Sequence, residues 1–248
     1  ANYHHGNVSA EQAIITLAAS WNNNVPIFEQ HGNFGSRLIN EPAASRYIFS
    51  SLNPDFYKYF SDFNVCTPNK DPDNPEPEQY LPIIPWVLVN SCQGIAVGFS
   101  CIFLPHNPKQ LAEACILALK NELPDDYVLL PTFPYFKGDV IQDPENNAKY
   151  ITTGIVKKST RKNHWIITEC PWGFDREKIF THLEKMSELN KIVDFEDGCN
   201  KDGFRFTIKL DQKQNDQCEN DPIQYFKLEK SFTENYTQLD ENGKLIIY

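Results

Sequence analysis

The 248-residue sequence predicts a mixed α+β chain. Three observations predict it. Apolar residues at helical spacing stand behind capping signals in three places, and apolar runs rich in β-formers separate them. Seventeen prolines and eleven glycines then cut the chain into short elements. At 41% hydrophobic and 13% aromatic residues, the chain has enough apolar material for a packed core, which excludes global disorder.

Element by element, Ser9-Ala10-Glu11-Gln12 has the capping-box pattern, and Ala10, Ala13, Ile14, Leu17, Ala18 and Trp21 follow on one helical face. Asn22-Asn23-Asn24-Val25-Pro26 ends that helix. His31 to Arg37 is a glycine-bearing loop, and Arg46 to Ser50 reads as a short strand. Asp71 to Glu78 is an acidic, proline-rich loop; it lacks the glycine and ligand spacing of a calcium loop and reads as a solvated linker. Leu81–Asn90 and Ile95–Phe103 are β-rich runs. Asn107-Pro108 opens a helix, with Asn at the cap and Pro in the first turn, burying Leu111, Ala114, Cys115, Ala118 and Leu119. Leu123-Pro124-Asp125-Asp126 closes it and divides the chain into domains 1–122 and 123–248. Beyond it, strands are predicted at Val128–Leu130, Asp139–Gln142, Tyr150–Lys157, Trp165–Cys170, Ile192–Phe195, Phe204–Leu210 and Lys244–Tyr248. A helix is predicted over Asp175–Asn190 with Asp175 as cap.

The net charge of −10 argues against a generic nucleic-acid coat, which would carry a basic field. The charge is uneven, however. Between Glu145 and Glu169 there is no acid, while Lys149, Lys157, Lys158, Arg161 and Lys162 all fall there. That stretch is either a guarded strand edge or a basic stripe. The seven cysteines form no CxxC pair, so neither a zinc ribbon nor a thioredoxin motif is indicated; Cys92, Cys101 and Cys115 read as small buried hydrophobes in a reducing, cytoplasmic setting. No signal peptide or membrane-length apolar run is present, and both ends read as cut from a longer protein.

Chemistry-bearing motifs are few when taken singly. No Gly-x-Ser-x-Gly elbow, Gly-x-Gly-x-x-Gly loop or Walker loop occurs. His4-His5-Gly6 at a helix entry could present imidazole and backbone donors to a phosphate, or be ordinary polar residues. Arg46-Tyr47 is one Arg beside one of eleven tyrosines.

The order of the motifs is more specific. Tyr3-His4-His5-Gly6, Gly32-Asn33-Phe34-Gly35-Ser36-Arg37, Ala43-Ala44-Ser45-Arg46-Tyr47-Ile48-Phe49, Tyr80-Leu81-Pro82-Ile83-Ile84-Pro85, Val87-Leu88-Val89-Asn90, Gly94-Ile95-Ala96-Val97-Gly98 and Pro105-His106-Asn107 follow one another. This series resembles the DNA-cleaving subunit of type IIA DNA topoisomerases, the family of gyrase A, topoisomerase IV and eukaryotic topoisomerase II. Phe136 to Val140, Ile167 to Pro171 and Asp202-Gly203-Phe204 extend the likeness. The resemblance implies a winged-helix (CAP-like) DNA-gate domain over 1–122 and a mixed α/β tower over 123–248.

By position, the resemblance makes Tyr47 the nucleophile that joins a 5′ phosphate during a gated double-strand break. A phenol titrates at about 10 and needs help to attack at neutral pH. Arg46 would steady the charge that builds on the phosphate, and His5 would donate near the scissile bond. His4, Arg37, Lys157 and Lys158 become DNA contacts. Val140, or else Ile141, becomes a wedge between base pairs. No acidic cluster of the TOPRIM kind is recognised, so the resemblance implies that the chain itself holds no metal. Mg²⁺ would sit in the TOPRIM domain of a partner subunit, which would also bring the ATPase and its ATP for strand passage. The remaining partners implied are double-stranded DNA and a second copy in the full-length homodimer, with no membrane. An alternative is a DNA-binding and bending module without cleavage activity of its own.

Overall fold

A computed structural model describes residues 6–74, 76–240 and 242–247. The first helix, α1 (Asn7–Ala18), is capped by Gly6 in an extended conformation with no side-chain bond, so Ser9 lies inside the first turn and the expected capping box does not form. Its buried face is Ala18 with half-buried Ile15; Ile14 and Leu17 stay 38% and 37% exposed. The asparagine run does stop the helix. Asn23 Nδ2 donates to the carbonyls of Thr16 and Ala19 at 2.7 and 2.9 Å, satisfying the last turn.

Next come β1 (Phe28–His31) and β2 (Phe49–Leu52), paired antiparallel with His31 opposite Phe49. The strand expected at Arg46–Ser50 therefore starts late: Ser45–Tyr47 is a 3-10 turn. A short helix, α2 (Phe56–Tyr59), follows. The 81–90 run holds no strand, because prolines at 82 and 85 interrupt pairing and Trp86–Leu88 coils into a 3-10 turn. The 92–103 run is a hairpin, β3 (Cys92–Ala96) and β4 (Phe99–Phe103), turning at Val97-Gly98. Then α3 (Pro108–Leu119) starts where expected, with Asn107 Oδ1 accepting from the N–H groups of Lys109 and Gln110; Leu111 is buried, but Leu119 is 85% exposed.

The second half is built on two sheets. In the three-stranded one, β6 (Asn146–Thr153) lies between β5 (Asp139–Asp143) and β11 (Glu229–Thr233). The four-stranded one has the order β7 (Ile155–Lys158), β8 (His164–Glu169), β10 (Phe206–Lys209), β9 (Asp194–Asp197), antiparallel throughout. The predicted strand Tyr150–Lys157 is thus divided at Gly154, where the chain passes from one sheet to the other. A side chain there would lie 2.5 Å from the Glu169 carbonyl. Against this sheet packs α4 (Arg176–Glu188), whose cap Asp175 accepts from the Lys178 N–H. Ile179, Leu183 and Met186 meet Trp165, Ile167, Phe206 and Ile208 in the largest core. Two short helices, α5 (Gln212–Cys218) and α6 (Pro222–Phe226), close that core with Cys218, Phe226 and Leu228. Val128–Leu130 is not a strand. A hairpin of β12 (Thr237–Leu239) and β13 (Leu245–Ile247) follows β11.

The α+β expectation holds. The cysteines are all free, but the buried ones are Cys170 and Cys218, whereas Cys92, Cys101 and Cys115 are half-buried. Burial pushes the Cys218 thiol up to about 12. Among the described residues no helix is long and apolar enough to cross a membrane.

Two imidazoles have their charged form disfavoured by burial. His182 Nε2 donates to the Phe226 carbonyl at 3.0 Å, and burial, then neighbouring lysines, hold it below 6.5. His106 is also lowered, mainly by burial, against the opposing pull of Glu234. Below 6.5 the unfolded chain takes up protons that the folded one refuses. Their contribution is therefore complete above that value and lost as pH falls through it toward the lowered folded values. The melting temperature should drop between about pH 7.5 and about pH 5.5, and His182→Gln should remove part of that slope. Calorimetry across that range checks both.

Candidate active site

Tyr47 is placed by what lies on either side of it. The turn Ser45–Tyr47 is closed by Tyr47 N–H to the Ala44 carbonyl, 2.9 Å, and by Ile48 N–H to the Ser45 carbonyl, 3.2 Å. The next residue, Ile48, is 8% exposed and packs with Ala18 and Phe34, while Tyr47 itself is 66% exposed. Alternation across this turn sends Ile48 into the core and the phenol outward. Arg46 lies on the same surface, its guanidinium carbon 4.7 Å from the Tyr47 ring centroid. Arg46 is exposed, and none of the ion pairs among the described residues involves it.

The glycine-bearing loop forms the seat. Gly32 has φ +112°, and a Cβ there would stand 2.9 Å from Ile48 Cγ2, so the loop backs directly onto the residue that anchors Tyr47. Ala43 N–H bonds the Asn33 carbonyl at 2.9 Å and closes the loop's base; Trp21 Nε1 holds the Phe34 carbonyl at 3.0 Å. The arrangement is an exposed phenol and an exposed guanidinium on a rigid base, suited to an extended anionic substrate rather than to a small molecule in a cleft.

The family model for the A chain of DNA gyrase/topoisomerase IV matches residues 1–247. The chain belongs to this family. It is 35% identical over 254 residues to the DNA topoisomerase medium subunit of Enterobacteria phage T4, covering 99% of this chain and 55% of that protein. It is 32% identical over 262 residues to DNA topoisomerase 2 of Plasmodium falciparum, covering 100% of this chain and 18% of that one. The crystal structure of the Plasmodium falciparum topoisomerase II DNA-binding, cleavage and re-ligation domain superimposes with a TM-score of 0.89 at 30% identity, over 99% of this chain and 35% of that chain. The chain thus spans little more than half of the phage relative's length and a smaller share of the others.

Within this member of the gyrase A/topoisomerase IV family, the site residues expected from the sequence fall in different places. His4 and His5 lie outside the described residues. Arg37 is turned inward rather than toward a phosphate. Its side chain is 10% exposed, and Nη1 lies 2.8 Å from Oε1 of Glu169, itself 3% exposed. Nη2 donates to the Cys170 carbonyl at 3.3 Å, and the rings of Phe136, Trp172 and Phe204 surround the guanidinium at 5.1 to 5.4 Å. Val140 packs against the cluster of Leu104, Phe133 and Tyr150, whereas its neighbour Ile141 is 50% exposed, as strand alternation requires. Lys157 is exposed at the end of β7; Lys158 is ion-paired with Glu219. No hydrogen bond, ion pair or ring contact among the described residues joins these side chains to Tyr47.

Sequence reasoning passed over the β3–β4 tip. Val97, in the turn, is 100% exposed, Ile95 before it 81% and Phe99 after it 48%. The signal was available: three apolar residues crowd a two-residue turn that has no core to face.

Gly32→Ala should cost about 1–3 kcal/mol, because both the φ and the Ile48 contact become strained. Urea unfolding of this variant beside the parent checks it.

Proposed function

We propose that this chain is the DNA cleavage and religation part of a type IIA topoisomerase, with Tyr47 as nucleophile. The observation that carries the reading is the exposed Arg46–Tyr47 pair on its buried Ile48 anchor. The phenol oxygen attacks a backbone phosphorus, the 3′ oxygen leaves with a proton, and the protein is held on the 5′ phosphate. The reverse step, attack by the 3′ hydroxyl, reseals the strand and frees the phenol, so the bond energy is kept. Arg46 donates to the phosphate oxygens as charge builds on them. His4 and His5 are read as donors near the same phosphate.

Among the described residues no three His, Cys, Asp or Glu side chains are grouped to hold a metal. None of the roles above depends on a metal held by this chain. We assign Mg²⁺ to a partner subunit's TOPRIM domain and ATP to its ATPase, with a homodimer of the full-length protein completing a two-strand gate. The setting is the cytoplasm, that of an infected bacterium if the chain is phage-encoded. Residues 1–122 are read as the winged-helix gate and 123–248 as the tower.

For DNA bending, the exposures favour a different wedge from the one expected. Val140 is occupied in packing, and Ile141 is half exposed, but Ile95 and Val97 project fully from a hairpin tip. An apolar tip that can enter a base step unstacks it and bends the duplex. The exposed Lys157, Arg161 and Lys162 are read as phosphate contacts, a local basic strip on an acidic protein.

Full-length protein mixed with its TOPRIM partner, Mg²⁺ and supercoiled DNA, then stopped with detergent, should yield protein joined to 5′ ends. Tyr47→Phe should yield none; an adduct from that variant ends the assignment. DNA bending without any adduct from the parent would favour the alternative, an architectural module. End-to-end fluorescence transfer on a short duplex should report a smaller bend for the Ile95→Ala/Val97→Ala double variant and an unchanged one for Ile141→Ala. The reverse pattern returns the wedge to β5.

A further inference from the structure

The loop from Gly32 to Ala44 is fastened at both ends of its reach. Its base is closed by the Ala43–Asn33 bond over the Phe34, Ala18 and Ile48 core. Its tip is fastened to the layer of the four-stranded sheet. There Arg37 meets Glu169, the Leu38 carbonyl accepts from the Arg176 N–H at 2.9 Å, and Asn40 Nδ2 donates to Asp175 Oδ2 at 3.1 Å. Leu38 packs against the large core of that layer. Three residues past Glu41 the same loop enters the turn that carries Arg46 and Tyr47. One short segment therefore links the sheet layer to the phenol.

The chemistry of the tip sets direction as well as contact. Glu169 has both oxygens engaged: Oε1 takes Arg37 and the Cys170 N–H at 2.9 Å, and Oε2 takes the Lys137 N–H at 3.1 Å. The Arg37 guanidinium carbon lies 5.1 to 5.4 Å from three ring centroids, and its Nη1 and Nη2 donate to Glu169 and to the Cys170 carbonyl. A planar fork bonded at both terminal nitrogens is more restricted in direction than an apolar side chain of the same volume. Buried ion pairs are often replaceable without loss of stability, which leaves fixing of geometry as what this pair distinctively supplies.

We infer that Arg37 and Glu169 are positioning residues for Tyr47. They make the place of the phenol depend on how the four-stranded layer is seated, so that a duplex lying across both surfaces presents its phosphate where the nucleophile stands. The inference rests on the reading of Tyr47 as nucleophile. It also makes cleavage sensitive to a contact that touches no DNA.

The test uses the full-length protein with its TOPRIM partner, Mg²⁺ and a duplex carrying one strong cleavage site. Arg37→Lys and Glu169→Gln should slow adduct formation at saturating DNA by tenfold or more. The DNA concentration giving half-maximal rate, and the bend angle, should stay within twofold of the parent. Asn40→Ala, a milder cut in the same tie, should slow it about threefold. An adduct rate within twofold of the parent in the Arg37 and Glu169 variants overturns the inference. So does a parallel loss of rate, DNA affinity and bending, which marks the pair as structural only. If those two variants fail to fold, Asn40→Ala decides by the same criteria. Tyr47→Phe run alongside separates the two claims. An adduct from that variant removes the nucleophile, whereas a silent Tyr47→Phe beside parent-like Arg37 and Glu169 variants removes only the positioning role.

Discussion

The buried pair of Arg37 and Glu169 is the constraint on which the relation between the two halves depends. Both charges are largely out of water, at 10% and 3% exposure, and backbone groups add partners: the Cys170 carbonyl for Arg37, and the Cys170 and Lys137 N–H groups for Glu169. Taking a carboxylate and a guanidinium out of water is expensive, and their attraction offsets this only when the geometry is good and the other donors and acceptors are satisfied. Removing one partner of such a pair costs about 3–5 kcal/mol, because the other charge is stranded. The aromatic rings around the guanidinium add an attraction that strengthens when water is excluded. A seam built this way is hard to rearrange without stranding a charge, and that is the ground for the positioning role inferred for it.

The N-terminal half needs such support because its own cores are small. Ala18, Phe34 and Ile48 form one; Ile84, Val89 and Leu111 form another. By contrast the four-stranded sheet and α4 share a single large core. Polar ties carry much of the difference. Asn24 Nδ2 points at the carbonyls of Val89, His106 and Thr132, at 3.1, 2.9 and 2.8 Å, drawing three distant segments to one atom. Asn90 and Val25 exchange two bonds like a strand pair. From the other half, buried Glu234 accepts from the Leu104 N–H at 2.8 Å, and Asn235 bridges to Ile102. Each tie satisfies a backbone group that would otherwise be costly to bury.

What the molecule leaves in water is as informative as what it buries. Tyr47, Ile95 and Val97 are exposed large side chains; Tyr47 precedes buried Ile48, Ile95 lies in the β3–β4 pairing, and Val97 is in its turn. On a chain with a net charge of −10, a run of basic residues stands out. The run from Lys157 to Lys162 lies at the turn between β7 and β8, among exposed positions.

The sequence by itself determined the elements whose signals lie within a few residues. Asn107-Pro108 and Asp175 each cap a helix where expected, since a cap needs only the two or three N–H groups that follow it. Alternating runs named β5, β8 and β10 within a residue or two. The ordered motifs also singled out the Arg46-Tyr47 pair. Ser9 misled because Gly6 begins the helix without a side chain; α5 and α6, of seven and five residues, are too short to show a helical period and close the large core, while β11 is ordered by pairing with β6 and by Phe232 in the Leu104, Phe133 and Tyr150 cluster. Only the tertiary structure decided what a side chain's charge or apolar bulk is used for. Arg37 finds Glu169 at a separation of 132 residues, so nothing local distinguishes it from a free cation awaiting a phosphate. Val140 and Ile141 are equally apolar in the sequence, and the Leu104, Phe133 and Tyr150 cluster alone decides which of them faces solvent. Local hydrogen bonding is short-ranged and written in neighbouring residues, whereas burial is set by whatever the rest of the chain brings alongside.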